Sequence, residues 1–317
     1  MSIKRRQFLI LSSLSGLGIA VLAKLFGDRT DGSTNTSAAN TTKPTLEPTP
    51  LKSADALRNA SGQPLLRFVS VADTGTGGQE QYAVAAAMAR YHQLNPYDLV
   101  ILAGDNIYNN GEIEKISAVF EQPYQVLLQN GVKFQACLGN HDIRTANGDP
   151  QVRYAGFNMP GRYYTFRRGD VQFFALDTNH NADWKTQLSW LEQELSGSDA
   201  PWKIVFGHHQ VYSSGHYGLN QPFIETLTPI FQKYRVQLYI NGHDHHYERS
   251  QSIKGTTYLI CGAGGGTRPV GRSQWTAYSV SQLSFAAYEI YSDRIIIKGI
   301  GTDNSVFDQG TIPLQSA

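Results

Sequence analysis

From Leu65 onward, short apolar runs alternate with longer stretches in which apolar residues recur every three to four positions. Short runs read as buried strands and the longer recurrence as amphipathic helices. The pattern predicts strands over 66–72, 98–103 and 133–138, separated by helices over 79–94 and 113–129. It predicts a hairpin of 163–167 with 171–176, turning at Arg168-Gly169-Asp170. A helix over 182–195 carries Trp184, Leu188, Leu191 and Leu195 at near-helical spacing. A strand over 202–206, a helix over 222–234 and a strand over 236–240 follow, and 257–261, 282–291 and 294–301 are strand-like. Alternating units that close on a strand-rich end predict an α/β domain of two packed mixed β-sheets flanked by helices.

Two segments stand outside that alternation. Gly27 to Pro64 is rich in Thr, Ser, Asn, Pro and Ala, so 24–64 is expected to be a disordered linker. In residues 1–23, Lys4-Arg5-Arg6-Gln7-Phe8-Leu9 leads into an apolar stretch, Phe8 to Ala23, softened by Ser12, Ser13, Ser15, Gly16 and Gly18. This segment resembles a twin-arginine export signal, with a small-residue cleavage site at Val21-Leu22-Ala23. The stretch falls short of the ~20 residues a spanning helix needs, so cleavage is preferred over an uncleaved N-terminal membrane anchor. The folded domain is then 65–317, delivered by the twin-arginine export machinery to the periplasm or the extracellular space. That route carries folded proteins, which suits an enzyme that loads its metals first.

Composition narrows the reading further. A chain of 317 residues, 41% hydrophobic and 17% charged, has the makeup of a soluble domain with a full core. Its net charge is +1, from 27 basic and 26 acidic residues; without Lys4, Arg5 and Arg6, 24 basic residues face the same 26 acidic ones. With no basic stripe in the body, nucleic acid is excluded as a main partner. Cys137 and Cys261 each sit in an apolar run and read as buried free thiols.

The chemistry is concentrated in five short motifs. They are Asp73-Thr74-Gly75, Gly104-Asp105-Asn106-Ile107-Tyr108, Gly139-Asn140-His141-Asp142, Val205-Phe206-Gly207-His208 and Gly242-His243-Asp244-His245-His246-Tyr247-Glu248-Arg249. Ligand sites in α/β sheets gather at the carboxyl ends of strands, and these motifs follow predicted strands. Any one aspartate or asparagine there reads equally well as a cap or turn residue. Seven of the nine histidines, however, fall in or just after the last three motifs, which a set of unrelated turns does not explain. Carboxylates, an amide and imidazoles collected at strand ends are the donors a metal pair requires.

In this set and order, the motifs resemble those of the calcineurin-like metallophosphoesterases, and among them the purple acid phosphatases of tartrate-resistant type. The resemblance runs from about Leu66 to Gly301 and includes Ala175-Leu176-Asp177-Thr178 and Tyr258 to Gly265. It implies a four-layer αββα sandwich. It also implies that Asp105 bridges two metals, that Asp73, Tyr108 and His245 complete the first, and that Asn140, His208 and His243 complete the second. A phenol near pKa ~10 coordinates at neutral or acidic pH only beside a strongly charged cation. Tyr108, if not a core aromatic, therefore indicates Fe(III), and the mixed second set suits Fe(II), Zn(II) or Mn(II). His141 is expected to face the phosphate as acid or oxyanion stabiliser, its tautomer fixed by Asp142 or another carboxylate. His216 is a second candidate acid, whereas His209 and His246 are expected to point away from the metals.

The implied activity is that of an exported acid phosphatase. It hydrolyses small phosphate monoesters by attack of a metal-bound hydroxide and releases inorganic phosphate. The alternatives are a phosphodiesterase or nucleotide hydrolase on the same scaffold, and a non-catalytic phosphate- or metal-binding protein.

Overall fold

The computed structural model describes residues 62–315. The expected export segment, 1–23, and nearly all of the expected linker, 24–64, lie outside the described residues. Among the described residues thirteen strands form two mixed sheets. The first contains β1 (Leu66–Val71), β2 (Leu99–Leu102), β3 (Lys133–Ala136), β11 (Ser284–Ile290), β12 (Arg294–Gly301) and β13 (Val306–Pro313), in the order β13-β12-β11-β1-β2-β3. The second contains β4 (Tyr164–Arg168), β5 (Val171–Ala175), β6 (Trp202–Phe206), β7 (Leu238–Asn241), β8 (Tyr247–Ile253), β9 (Thr256–Cys261) and β10 (Thr276–Val280), in the order β10-β8-β9-β7-β6-β5-β4. The helices are α1 (Gln79–Leu94), α2 (Gln125–Gln129), α3 (Asp149–Val152), α4 (Trp184–Gly197) and α5 (Gln221–Tyr234).

Side-chain alternation explains the layering. In β5, Phe173 joins the core between the sheets while its neighbour Phe174 joins the core under α4 and α5. In β6 and β7, Ile204, Phe206, Leu238 and Ile240 face inward, and Val205 and Tyr239 face the helices. Both faces of these strands are covered, so apolar residues dominate them, with Gln172, Lys203 and Asn241 the polar exceptions. The two sheets meet through Phe68 of β1, edge-on to Phe173 at 5.2 Å and stacked on Tyr288 at 4.2 Å. On the outer face of the first sheet, α1 packs Val84, Ala87, Met88 and Tyr91 into the same core as Phe285. Leu191, Leu195, Leu227 and Phe231 from α4 and α5 cover the second sheet. This is the αββα sandwich.

The parallel strands position the site. β1, β2 and β3 are parallel neighbours in one sheet, and β5, β6, β7 and β9 in the other. Their carboxyl ends therefore open onto one edge of the sandwich.

Four elements depart from expectation. The helix predicted over 113–129 is broken into short turns at 113–115 and 117–121 and the separate α2. Pro123 lies in the break; it lacks an amide hydrogen, and its ring clashes with the preceding turn. Three strands, β8, β10 and β13, were not expected. Both cysteines are buried and unpaired, as predicted. No helix among the described residues is long and apolar enough to cross a membrane.

Candidate metal centre

Each motif residue is delivered by a strand end. Asp73 lies two residues beyond β1, Asp105 three beyond β2 and Asn140 four beyond β3. His208 lies two residues beyond β6, and His243 and His245 lie on the loop between β7 and β8. Asp73, Asp105 and His243 have positive φ values of 58°, 52° and 69°. Such a conformation is costly for these residues and concentrates at functional sites. Gly104, at φ 88°, permits a close approach: a Cβ there would come within 2.6 Å of His208 Nδ1. A Cβ on Gly139 would come closer still to the Asp105 carboxylate.

The seven predicted ligands converge in two groups. In one, Tyr108 Oη lies 3.0 Å from Asp73 Oδ1 and 3.2 Å from His245 Nε2, which is itself 3.3 Å from Asp73. In the other, His208 Nε2 is 3.1 Å from Asn140 Oδ1 and 3.2 Å from His243 Nδ1. Asp105 adjoins both: its Oδ2 is 3.5 Å from His208 Nε2, and its donor atom falls within 4.8 Å of those of Asp73 and His208.

Backbone carbonyls set two histidine tautomers. His208 Nδ1 lies 3.0 Å from the carbonyl of Ala103, which can only accept, so Nδ1 carries a hydrogen and Nε2 is the nitrogen that faces Asn140, Asp105 and His243. His141 Nδ1 donates to the Asn109 carbonyl at 2.7 Å, leaving Nε2 3.9 Å from Asp105 Oδ2. The expectation that Asp142 fixes this ring is corrected. Asp142 is fully buried and instead accepts from the backbone N–H groups of Gly139, Asn106 and Ile107 and from the amides of Asn106 and Gln151. It ties the Asp105 motif to the Asn140 motif.

The electrostatics suit cation binding. Burial would raise the Asp105 carboxyl, but His208 and His141 beside it hold it well below the usual carboxylate range. Burial works against charge on His208, yet Asp105 raises it to about 9. Burial and the charged His208 push His243 down to about 2 and His209 to about 3, so both are neutral imidazoles. Burial, with Asp73 and Asp105 alongside, holds the Tyr108 phenol far above its ordinary value, so only a strong cation would release its proton. These donors fit a pair of cations: one set is rich in hard oxygen, the other mixes an amide oxygen with imidazole nitrogen.

The remaining histidines separate. His246 is buried and turned away, 3.3 Å from Glu248. His209 does not turn away: its ring centroid is 4.5 Å from that of His243. Thr178 Oγ1 accepts the N–H groups of His208 and His209 and lies 2.9 Å from His209 Nδ1. The hydroxyl donates to Nδ1, which leaves His209 with its hydrogen on Nε2, a donor and not a ligand. His216 stands at the rim, its N–H bonded to Asp244 at 3.3 Å, and its ring bonds none of the seven among the described residues. Sequence reasoning missed Tyr217, stacked on His243 at 3.9 Å, and Arg268, 5.4 Å above Tyr217. Neither sits in a motif; the only signal was their place in glycine-containing loops near one.

Two mixed sheets with acids, an amide, a tyrosine and histidines on one edge define a metallophosphoesterase sandwich. The sequence profile described as "Calcineurin-like phosphoesterase" matches residues 66–247. The chain is 31% identical to purple acid phosphatase 7 of Arabidopsis thaliana over 63% of this chain and 70% of that one. It is 27% identical to tartrate-resistant acid phosphatase type 5 of Mus musculus, over 67% of this chain and 76% of that one. Among solved structures, purple acid phosphatase PPD1 from yellow lupin superposes with a TM-score of 0.67 at 19% identity, covering 78% of this chain and 53% of that one. GAP50, the anchor in the inner membrane complex of Plasmodium, does so with a TM-score of 0.70 at 20% identity, covering 79% and 89%. Both structural likenesses speak to the fold alone. The chain belongs to the calcineurin-like phosphoesterases, within their purple acid phosphatases, and is a hydrolase of that type.

Proposed function

We propose that this protein is an exported acid phosphatase that cleaves phosphate monoesters at a dinuclear metal centre. The observation that carries the reading is the sharing of Asp105 between an oxygen-rich set (Asp73, Tyr108, His245) and a mixed set (Asn140, His208, His243). A carboxylate has two oxygens and can serve two cations ~3.5–4 Å apart. Tyr108 assigns Fe(III) to the first set, and the second takes Fe(II), Zn(II) or Mn(II). When bound, such a pair supplies charge neutralisation for the phosphoryl oxygens and a water acidified enough to act as nucleophile.

The chain's own residues do the rest. Asp105 and Asp73 offer carboxylate oxygens where the cations would bind. Asn109 fixes the His141 ring so that Nε2 addresses the same space as the Asp105 carboxylate, suiting His141 to stabilise developing charge or protonate the leaving oxygen. His209 offers an N–H beside His243. All seven donors are present, which weighs against the non-catalytic alternative. A chromogenic aryl phosphate assayed before and after chelation tests the reading. Turnover that is lost on chelation and restored by iron with zinc or manganese is expected; equal turnover without metal refutes it. The paired arginines support twin-arginine export. Retention of an Arg5→Lys, Arg6→Lys chain in the cytoplasm is the expected outcome, and its normal export rejects that route.

A further inference from the structure

Beside the proposed metal centre lies an open recess of about 500 Å³, lined by Ser214, Gly215 and His216 on one side and by Arg268, Val270 and Gly271 on the other. Arg268 is fastened at its base: its backbone N–H donates to the His245 carbonyl at 2.7 Å. Its guanidinium lies over the ring of Tyr217, which stacks on His243 at 3.9 Å with 18° between planes. One Nη contacts the His243 carbonyl at 3.4 Å. Among the described residues no carboxylate comes within ion-pair distance of this guanidinium. A guanidinium has five N–H donors in a planar fork matched to carboxylate or phosphate, and most of these are uncommitted here.

The opposite wall is rigid. Ser213 Oγ donates to Asp244 at 2.6 Å and the Tyr217 N–H to the same oxygen at 3.1 Å, while Glu248 accepts the Ser214 N–H at 2.7 Å. Gly215 presses against His246 and Asp244, where a Cβ would lie 2.6 Å from His246. The Gly271 N–H donates to the Ser214 carbonyl at 3.1 Å, which joins the two walls. A cation is thus held in a fixed place, one aromatic ring away from His243.

We propose that Arg268 forms an oxyanion subsite for the leaving group. The preferred substrates are then phosphate monoesters whose leaving group carries a second anion, a carboxylate or a second phosphate. This rests on the phosphatase reading above. The scissile phosphoryl group occupies the metal centre and the remote anion meets the Arg268 fork. A site built to bond a substrate group discriminates strongly against the analogue lacking it.

The test uses metal-loaded protein and two matched pairs. One is 3-phosphoglycerate against glycerol 3-phosphate, which differ by a carboxylate in place of a hydroxymethyl. The other is fructose 1,6-bisphosphate against fructose 6-phosphate, which reports on a second phosphate. Wild-type kcat/KM should favour the member with the second anion in at least one pair, and which pair identifies the anion. Arg268→Ala should lower that ratio by roughly 10- to 100-fold, the value of a charge-assisted hydrogen bond, mainly through KM. Arg268→Lys should recover part of it. A merely structural role would depress both members of a pair alike and leave the ratio where it was. That result, or a wild-type enzyme active on all four esters without preference, overturns the subsite and leaves the phosphatase reading intact. Inactivity of the wild type on every phosphate ester overturns both.

Discussion

The two sheets contribute different chemistry to the same edge. The first, through the ends of β1, β2 and β3, delivers every oxygen donor: Asp73, Asp105, Tyr108 and Asn140. The second, through β6 and the loop after β7, delivers every imidazole among the seven metal donors: His208, His243 and His245. Neither sheet holds a complete set, because His245 completes the Asp73–Tyr108 group and Asn140 completes the His208–His243 group. The centre therefore exists only when the sheets are packed face to face. Ligand binding to such a site stabilises the packed state by mass action, and damage to the interface should reach the metals.

Cutting the contact between the two halves should have the largest effect. Asp105→Asn removes the charge that both groups share, so metal content and turnover should fall together, turnover by at least the ~10²–10³-fold that one preorganised electrostatic group is worth. Metal analysis alongside an aryl phosphate assay checks this; two retained metals with near-normal turnover would take Asp105 out of the centre. His141→Ala leaves both donor groups whole and removes only the ring held by Asn109. It should keep its metals and lose roughly 10²–10⁴ in kcat, the range for a lost general acid or base. Loss of metal from that variant would move His141 into the donor set.

The interface itself can be weakened away from the edge. Phe68, 1% exposed, fills the space between Phe173 and Tyr288. Phe68→Ala should cost about 3–5 kcal/mol of stability by chemical denaturation. Saturating metal should return part of that loss, since it binds only the packed form. A denaturation midpoint that metal does not move in either protein would show that the sheets are not coupled through the site.

Much of this arrangement is readable in the chain, for a physical reason. β1, β2, β6 and β7 are mostly buried and read as predominantly apolar runs, interrupted by Arg67 and Ser70 in β1, Lys203 in β6 and Asn241 in β7, and the residues that follow them carry the chemistry. The strands that escaped are those without such runs. β8 reads Tyr-Glu-Arg-Ser-Gln-Ser-Ile because Glu248 is held by Ser214 and Thr276 and Arg249 by Asp308, so polar residues are satisfied within the sheet. β13 alternates around Gly310 and ends at Pro313, as an edge strand can. Tyr217 and Arg268 were invisible for another reason, and Thr178 lay in a segment that the resemblance marked without giving it a role. Their positions relative to His209 and His243 are set by loop packing, and no periodicity encodes that.

The difference between the two donor sets is also the sharpest claim. An oxygen-rich set containing a phenol calls for Fe(III), and a phenolate on Fe(III) gives a broad visible absorption that Zn(II), Mg(II) or a free phenol cannot. The decisive measurement is the metal content and visible spectrum of the purified wild-type protein beside Tyr108→Phe. The expected result is two metals per chain, at least one of them iron, with a colour that disappears in Tyr108→Phe while the fold survives. A fully loaded wild-type protein that is colourless and free of iron would contradict the assignment of Tyr108 to the metal.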